Sequence, residues 1–147
     1  MTIKFYKNEG AIICGFAGIG KSYYAKLASR VVDLESTPFQ KDWKTYVRVA
    51  DHMRKNGYIV LMSCHKELRE ELHNQNIPYY VALPQEQDKD IYIKRYEQRG
   101  NSKDFIKLLE QNFSEFVKSY EWETVIEIPG NTYLFNAVQI YNIREED

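Results

Sequence analysis

Eight consecutive residues, Gly15-Phe16-Ala17-Gly18-Ile19-Gly20-Lys21-Ser22, carry the densest chemistry in this 147-residue chain. Gly15, Gly20, Lys21 and Ser22 complete the spacing G-x-x-x-x-G-K-[ST]. Glycines let successive backbone N–H groups turn inward and meet phosphate oxygens with no side chain between. A helix that starts here adds its own free N–H groups and positive end. Lys21 supplies a mobile charge for the β- and γ-phosphates of a nucleotide, and the Ser22 hydroxyl a ligand for Mg2+. The bland alternative is an incidental glycine turn. The context argues against it: the apolar run Ala11-Ile12-Ile13-Cys14 precedes the motif, and the helix-compatible Tyr23-Tyr24-Ala25-Lys26-Leu27-Ala28 follows it.

Other residues can act beside such a loop. Val31-Val32-Asp33-Leu34-Glu35-Ser36 reads as a strand ending in acids, and alternation puts Asp33 and Glu35 on one side. A carboxylate there can accept the proton of an attacking hydroxyl, or hold Mg2+ through water. Arg95 and Arg99 are four apart, so a helix presents both on one face. Arginines so placed stabilise the charge on a transferring phosphoryl group, although a run such as Asp88 to Arg99 also suits a solvated helix surface. His65 follows a strand and can meet an acceptor or cap a helix. Trp43 and Tyr46 have the spacing of core residues, with base stacking as the second reading. Cys14 is expected to be buried and inert, since a strand interior offers no charge to stabilise a thiolate.

These residues need a scaffold that brings strand ends together. Short, continuous, partly β-branched runs at Ala11–Cys14, Val31–Leu34, Ile59–Met62, Tyr79–Leu83 and Thr124–Ile128 predict strands buried on both faces of a parallel sheet. Three stripes predict helices: Trp43, Tyr46, Val47, Ala50 and Met53; then Phe105, Leu108, Leu109, Phe113, Phe116, Val117 and Tyr120; then Leu134, Phe135, Val138 and Tyr141. Gly57 and Gly100 stand where left-handed helix caps are wanted. Pro129-Gly130-Asn131-Thr132 predicts a turn followed by an N-cap. The expected fold is one three-layer α/β domain, residues 1–147, with a five-stranded parallel sheet and helices on both faces. Ligands then bind at the carboxyl ends of the strands.

Composition narrows the class. With 44% hydrophobic and 28% charged residues, the chain has the make-up of a globular protein. Twenty basic residues against 21 acidic ones give a net charge of -1, so nucleic acid is not the favoured partner. No apolar run reaches the ~20 residues of a membrane span, and the first ten residues lack a signal-peptide core. A cytoplasmic protein without membrane contact is expected. Two cysteines without CxxC spacing suggest neither metal nor disulfide framework.

The phosphate loop, the strand end "VVDLES" and the arginine-bearing helix before Gly100 together resemble the adenylate-kinase-like P-loop kinases. These include nucleoside monophosphate kinases, shikimate- and gluconate-type kinases and polynucleotide 5'-kinases. More narrowly, "GFAGIGKS", "VVDLES", "SCHKELRE" and "IKRYEQRGN" look like small bacteriophage-encoded P-loop kinases described as nucleotide kinase-like, over about residues 10 to 120. The phosphate loop is the one sharp motif. The resemblance implies ATP with Mg2+ and, for a phage protein, the host cytoplasm. By position, Gly15, Ala17, Gly18, Ile19, Gly20, Lys21, Ser22 and Tyr23 would bind the nucleotide, and Asn131 would flank the adenine. Ser22, and Asp33 through water, would hold Mg2+. Asp33, Glu35, Ser36 and His65 would face the acceptor. Lys21, Asp33, Arg95 and Arg99 would be catalytic, the arginines on a short helical lid at about 84–104. Adenylate kinases proper carry an Asp-Gly-Phe-Pro-Arg-like segment after strand three; this chain has Ser63-Cys64-His65-Lys66.

The expected activity is ATP-dependent phosphoryl transfer to a small acceptor, a (deoxy)nucleoside monophosphate being favoured. A polynucleotide 5'-hydroxyl, a modified base or a small metabolite is the alternative acceptor. A non-catalytic nucleotide-binding or sequestering module is the alternative of another class. Monomer and homodimer are both open.

Overall fold

The computed structural model describes residues 2–6 and 9–143. Five strands form an all-parallel sheet: β2 (Ala11–Gly15), β3 (Val31–Asp33), β4 (Ile59–Met62), β5 (Tyr80–Pro84) and β6 (Thr124–Ile128). Their order is β3-β4-β2-β5-β6, so the strand feeding the glycine motif is central. β2 is buried at every position, as its unbroken apolar run requires. Gly15 pairs with Ala82 of β5, and Cys14 with Met62 of β4. Strand order reverses at β2, so the crevice of a doubly wound sheet opens over the glycine motif.

Helices cover both faces. They are α1 (Lys21–Leu27), α2 (Trp43–Lys55), α3 (Lys66–Asn74), α4 (Lys89–Gln98), α5 (Lys103–Phe116) and α6 (Leu134–Ala137). α1 packs with α6 and α2 with α3, as right-handed crossovers on opposite faces demand. The architecture is the expected three-layer α/β fold. Asp42 caps α2 through the Thr45 N–H, and Ser102 caps α5 through the Phe105 N–H. Gly57 and Gly100 follow α2 and α4 with φ of +89° and +76°. No helix among the described residues is long and apolar enough to cross a membrane.

Three expectations need correction. The second stripe ends sooner than read: α5 stops at Phe116, Leu109 and Phe113 are buried, and Leu108 faces solvent. The third stripe is not one helix. α6 has four residues, and the chain then forms β7 (Gln139–Ile143), which pairs in parallel with β1 (Thr2–Tyr6) in a separate two-stranded sheet. A four-residue helix cannot hold its period against a partner strand supplied by the other end of the chain. Finally, Tyr133 rather than Thr132 occupies the α6 cap position, with no side-chain capping bond.

Candidate functional site

The glycine motif connects β2 to α1, and the structure turns its polarity inward. Every carbonyl from Phe16 to Gly20 has a donor on the outer side of the turn. Phe16 O accepts from the Ile19 N–H at 3.1 Å, Ile19 O from the Leu134 N–H at 2.9 Å, and Gly20 O from the Tyr24 N–H at 3.0 Å. Ala17 O accepts from the Tyr96 hydroxyl at 2.7 Å, and Gly18 O from Arg95 Nη1 at 2.8 Å. The N–H groups of Ala17, Gly18, Gly20, Lys21, Ser22 and Tyr23 have no acceptor among the described residues. Those of Lys21, Ser22 and Tyr23 are the free amides of a helix's first turn, whereas those of the half-buried Ala17, Gly18 and Gly20 are of a kind rarely left so. A concave run of them is an anion site.

Glycine is required twice in this turn. Gly18 has φ +86° and Gly20 φ +99°, and a Cβ would stand 2.9 Å from the Tyr96 ring or the Tyr133 ring respectively. Ile19 between them is fully buried and anchors the loop in the core. α1 is only seven residues long. Its dipole is correspondingly short, so the loop amides carry more of the positive potential than the sequence suggests.

Lys21 bends back over the loop, its Nζ donating to Gly15 O at 2.7 Å, with Phe16 O at 3.5 Å. Burial pulls its pKa below the ordinary lysine value, although Cys64 and Asp33 act the other way. An ammonium held by carbonyls in a half-buried site is ready to move to phosphate oxygens. Beside it, the Ser22 hydroxyl donates to Asp33 Oδ2 at 2.9 Å. This brings two hard oxygen donors together at the loop's edge. Mg2+ binds proteins through one or two oxygens and completes its octahedron with water and substrate phosphates, so Ser22 and Asp33 suit it. No group of three or more His, Cys, Asp or Glu among the described residues is arranged to hold a metal ion.

A cleft of about 840 Å3 runs across the loop. It brings together Ala17, Gly18, Gly20, Lys21, Ser22, Tyr23, Asp33, Glu35, Ser36, Arg95 and Arg99, eleven of the residues picked from sequence. Gly15 and Ile19 lie beneath it, in the sheet and the core. His65 does not line it. Its ring packs on Trp43 with centroids 5.3 Å apart, and burial lowers its pKa. Asn131 is also outside the lining and instead accepts from Arg95 Nη2 at 3.0 Å.

The two arginines share a helix face but not an environment. Arg95 is 6% exposed. Its guanidinium reaches Gly18 O, Asn131 Oδ1 and Thr132 O, and lies between the rings of Tyr92 and Tyr133, 4.5 and 4.0 Å from their centroids. No carboxylate pairs with it among the described residues. Arg99 is exposed at the rim and its side chain makes no hydrogen bond among them. α4 is therefore not a free lid: Tyr92 and Tyr96 are fully buried, and only its last turn borders the cleft.

Sequence reasoning did not single out Tyr133, which lines the cleft beside Gly20, or Lys26, Leu34, Thr37, Ser63, Gln98, Asn101 and Phe105, which complete the walls. The order of strands and the Pro129–Thr132 turn were the signals for Tyr133. Tyr46 is the core residue its spacing predicts, with a polar role that the spacing did not show. That residue is fully buried under the site, donates from its hydroxyl to Leu34 O and accepts from the Ser63 N–H at 3.2 Å. One side chain of α2 thus ties the ends of β3 and β4 together.

Fold and site define a class: a three-layer α/β protein whose central strand runs into a glycine-rich nest of unpaired amides. No family model matches the chain, and comparison with curated proteins finds no significant match.

Proposed function

We propose that this protein is an ATP-dependent phosphotransferase acting on a small acceptor. The observation that carries the reading is the nest itself: six unpaired N–H groups around Gly18 and Gly20, backed by the buried guanidinium of Arg95 with no internal anion. A buried charge without a partner is costly, and a polyphosphate supplies the missing negative charge. Lys21 exchanges its carbonyl partners for phosphate oxygens, and Arg99 at the rim is free to follow. Mg2+, held at Ser22 and Asp33, would draw the phosphate oxygens together and neutralise their charge. Tyr133 and Tyr23 offer ring surface for a base at the mouth of the cleft.

Transfer rather than hydrolysis is supported by the cleft's extent. Glu35, Ser36 and Thr37 line it as well as the loop, which leaves room for an acceptor beside a donor nucleotide. The end of β4 also lacks the acid that motor-type ATPases place there; Ser63 stands in that position.

The experiment is ATP binding followed by thermal shift, with ADP formation measured over an acceptor panel. Wild type is expected to gain several degrees with Mg2+-ATP and to release ADP. Lys21→Ala is expected to lose at least 100-fold in turnover, in line with losing a transition-state charge contact. Equal ATP-dependent behaviour of wild type and Lys21→Ala would end the proposal.

A further inference from the structure

The ladder between β3 and β4 stops one rung short of where its register leads, and a side chain from α2 stands in the gap. The Ile59 N–H donates to Arg30 O at 2.8 Å, and the Leu34 N–H to Leu61 O at 2.8 Å. With Val31 opposite Ile59 and Asp33 opposite Leu61, even-numbered residues of the β3 segment thus bond to odd-numbered residues of the β4 segment. The next rung on that pattern runs from the Ser63 N–H to Leu34 O. It is not among the backbone bonds of the described residues. The Ser63 N–H donates instead to the Tyr46 hydroxyl at 3.2 Å, and that hydroxyl donates to Leu34 O. Both groups of the lost rung are satisfied, but through an oxygen set between them. Two hydrogen bonds in series span more than the ~2.9 Å of one, so the chains part at this level.

The inserted hydroxyl is held from behind. Tyr46 is fully buried, with its ring centroid 4.8 Å from that of Phe39 and 6.1 Å from that of Trp43. Burial pushes its pKa up, against the smaller pull of the Ser63 bond, so the proton given to Leu34 O stays in place. What the hydroxyl separates is a wall of the cleft. Leu34 and Ser63 both line it, and so does Asp33, the residue before Leu34. Asp33 Oδ2 in turn accepts from the Ser22 hydroxyl at 2.9 Å. Tyr46 itself does not line the cleft.

We propose that Tyr46 is a positioning residue: its hydroxyl fixes the spacing between the ends of β3 and β4, and so sets where Asp33 stands against Ser22. The inference rests on the phosphotransferase reading, in which Ser22 and Asp33 hold Mg2+. That ion tolerates little error, since its oxygen ligands stand at about 2.0–2.1 Å in a near-ideal octahedron. Without the hydroxyl, Leu34 O and the Ser63 N–H are left to find each other. The rung closes, the end of β3 is drawn toward β4, and Asp33 moves with it. Tyr46 acts on the ion only through this strand end.

Tyr46→Phe removes the oxygen and keeps the ring. Val47→Ala, at the next and equally buried position of α2, weakens packing without touching the rung and is the control. Two measurements are made on each: a crystal structure of the free protein, and a Mg2+ titration of the rise in Tm at fixed ATP. In Tyr46→Phe, Ser63 N is expected at about 2.9 Å from Leu34 O. Its Mg2+ midpoint should rise about 10-fold, the loss usual when a group supporting a metal ligand is removed. The rise in Tm given by ATP without Mg2+ should match wild type, and Val47→Ala should keep the wild-type midpoint. An unchanged midpoint in Tyr46→Phe, or an equal rise in Val47→Ala, would overturn the role. So would a gap that stays open in Tyr46→Phe with a water in place of the hydroxyl. Each of these leaves the phosphotransferase reading standing. Wild type that gains nothing from ATP would instead remove that reading, and this role with it.

Discussion

Two arginines are buried among the described residues, and they are buried differently. Arg69 on α3 is fully enclosed and paired with Glu123, by Nε at 2.8 Å and Nη2 at 2.6 Å. Its remaining donors reach Cys64 O and Lys118 O. Glu123 also accepts from the Tyr79 hydroxyl at 2.7 Å and the Tyr120 N–H at 2.7 Å. Burial alone would lower the Arg69 pKa, but the Glu123 hydrogen bonds outweigh it and push the value up. Arg95 has carbonyls, an amide oxygen and two tyrosine rings, but no carboxylate, and its Nε has no partner among the described residues. The first charge is neutralised inside the protein. The second is solvated by dipoles and left uncompensated, beside a nest of free amides. The contrast separates a guanidinium neutralised by a buried carboxylate from one held by carbonyls and rings alone, the one to which the proposed function gives an anion.

Stability and ligand response should therefore split between the two sites. Arg69→Ala leaves Glu123 charged, enclosed and unpaired, and is expected to cost about 3–5 kcal/mol of unfolding free energy. Any folded fraction should still gain its full increment in Tm from Mg2+-ATP. Arg95→Ala should cost less in the free protein, about 2 kcal/mol for the Gly18 carbonyl it strands, yet lose most of the ATP-dependent increment. Calorimetry with and without nucleotide measures both quantities. Identical responses of the two variants would erase the distinction.

Acid sharpens it further. Burial alone would raise the Glu123 pKa, but the bonds from Arg69, Tyr79 and Tyr120 overcome it, and the value falls below the ordinary 4.5. A carboxylate with a depressed folded pKa adds stability above its unfolded value and loses it as pH falls through the folded one. Unfolding midpoints should thus hold steady down to about pH 4.5 and drop below it. Tyr79→Phe, one donor poorer, should leave the onset near pH 4.5, make the acid loss smaller and complete at a higher pH, and lower stability at neutral pH by about 1 kcal/mol.

The smallest expected effect lies at the loop. Tyr96→Phe removes the donor to Ala17 O and leaves packing intact. ATP affinity should fall about 5-fold, equivalent to about 1 kcal/mol, and the free protein should lose about 1 kcal/mol for the Ala17 carbonyl left without its donor. A loss confined to the free protein would make Tyr96 a core residue only.

The contrast also explains what could be read in advance. The five core strands and the glycine turn between β2 and α1 were legible because each is a local pattern: a continuous apolar run, or fixed glycines beside a lysine. Arg95 and Arg99 were legible as a pair on one helix face, but not as one buried and one exposed, since burial depends on how α4 docks under the loop. The Arg69–Glu123 pair joins residues 54 positions apart, and nothing in "KELRE" marks Arg69 as the enclosed one. The stripe at Leu134, Phe135, Val138 and Tyr141 fits a helical period over a segment too short to decide between helix and strand. β1 decides it, from the far end of the chain.

That last pairing has a consequence in time. The core sheet is complete once Ile128 exists, whereas β1, which precedes that sheet in the chain, pairs only when residues 139–143 follow. At the ~5–20 residues per second of protein synthesis, the wait is on the order of ten seconds or more. Throughout it, β1 is an open edge that any other strand can join. The chain is thus exposed to stray strand pairing during its own manufacture, until β7 arrives to join β1.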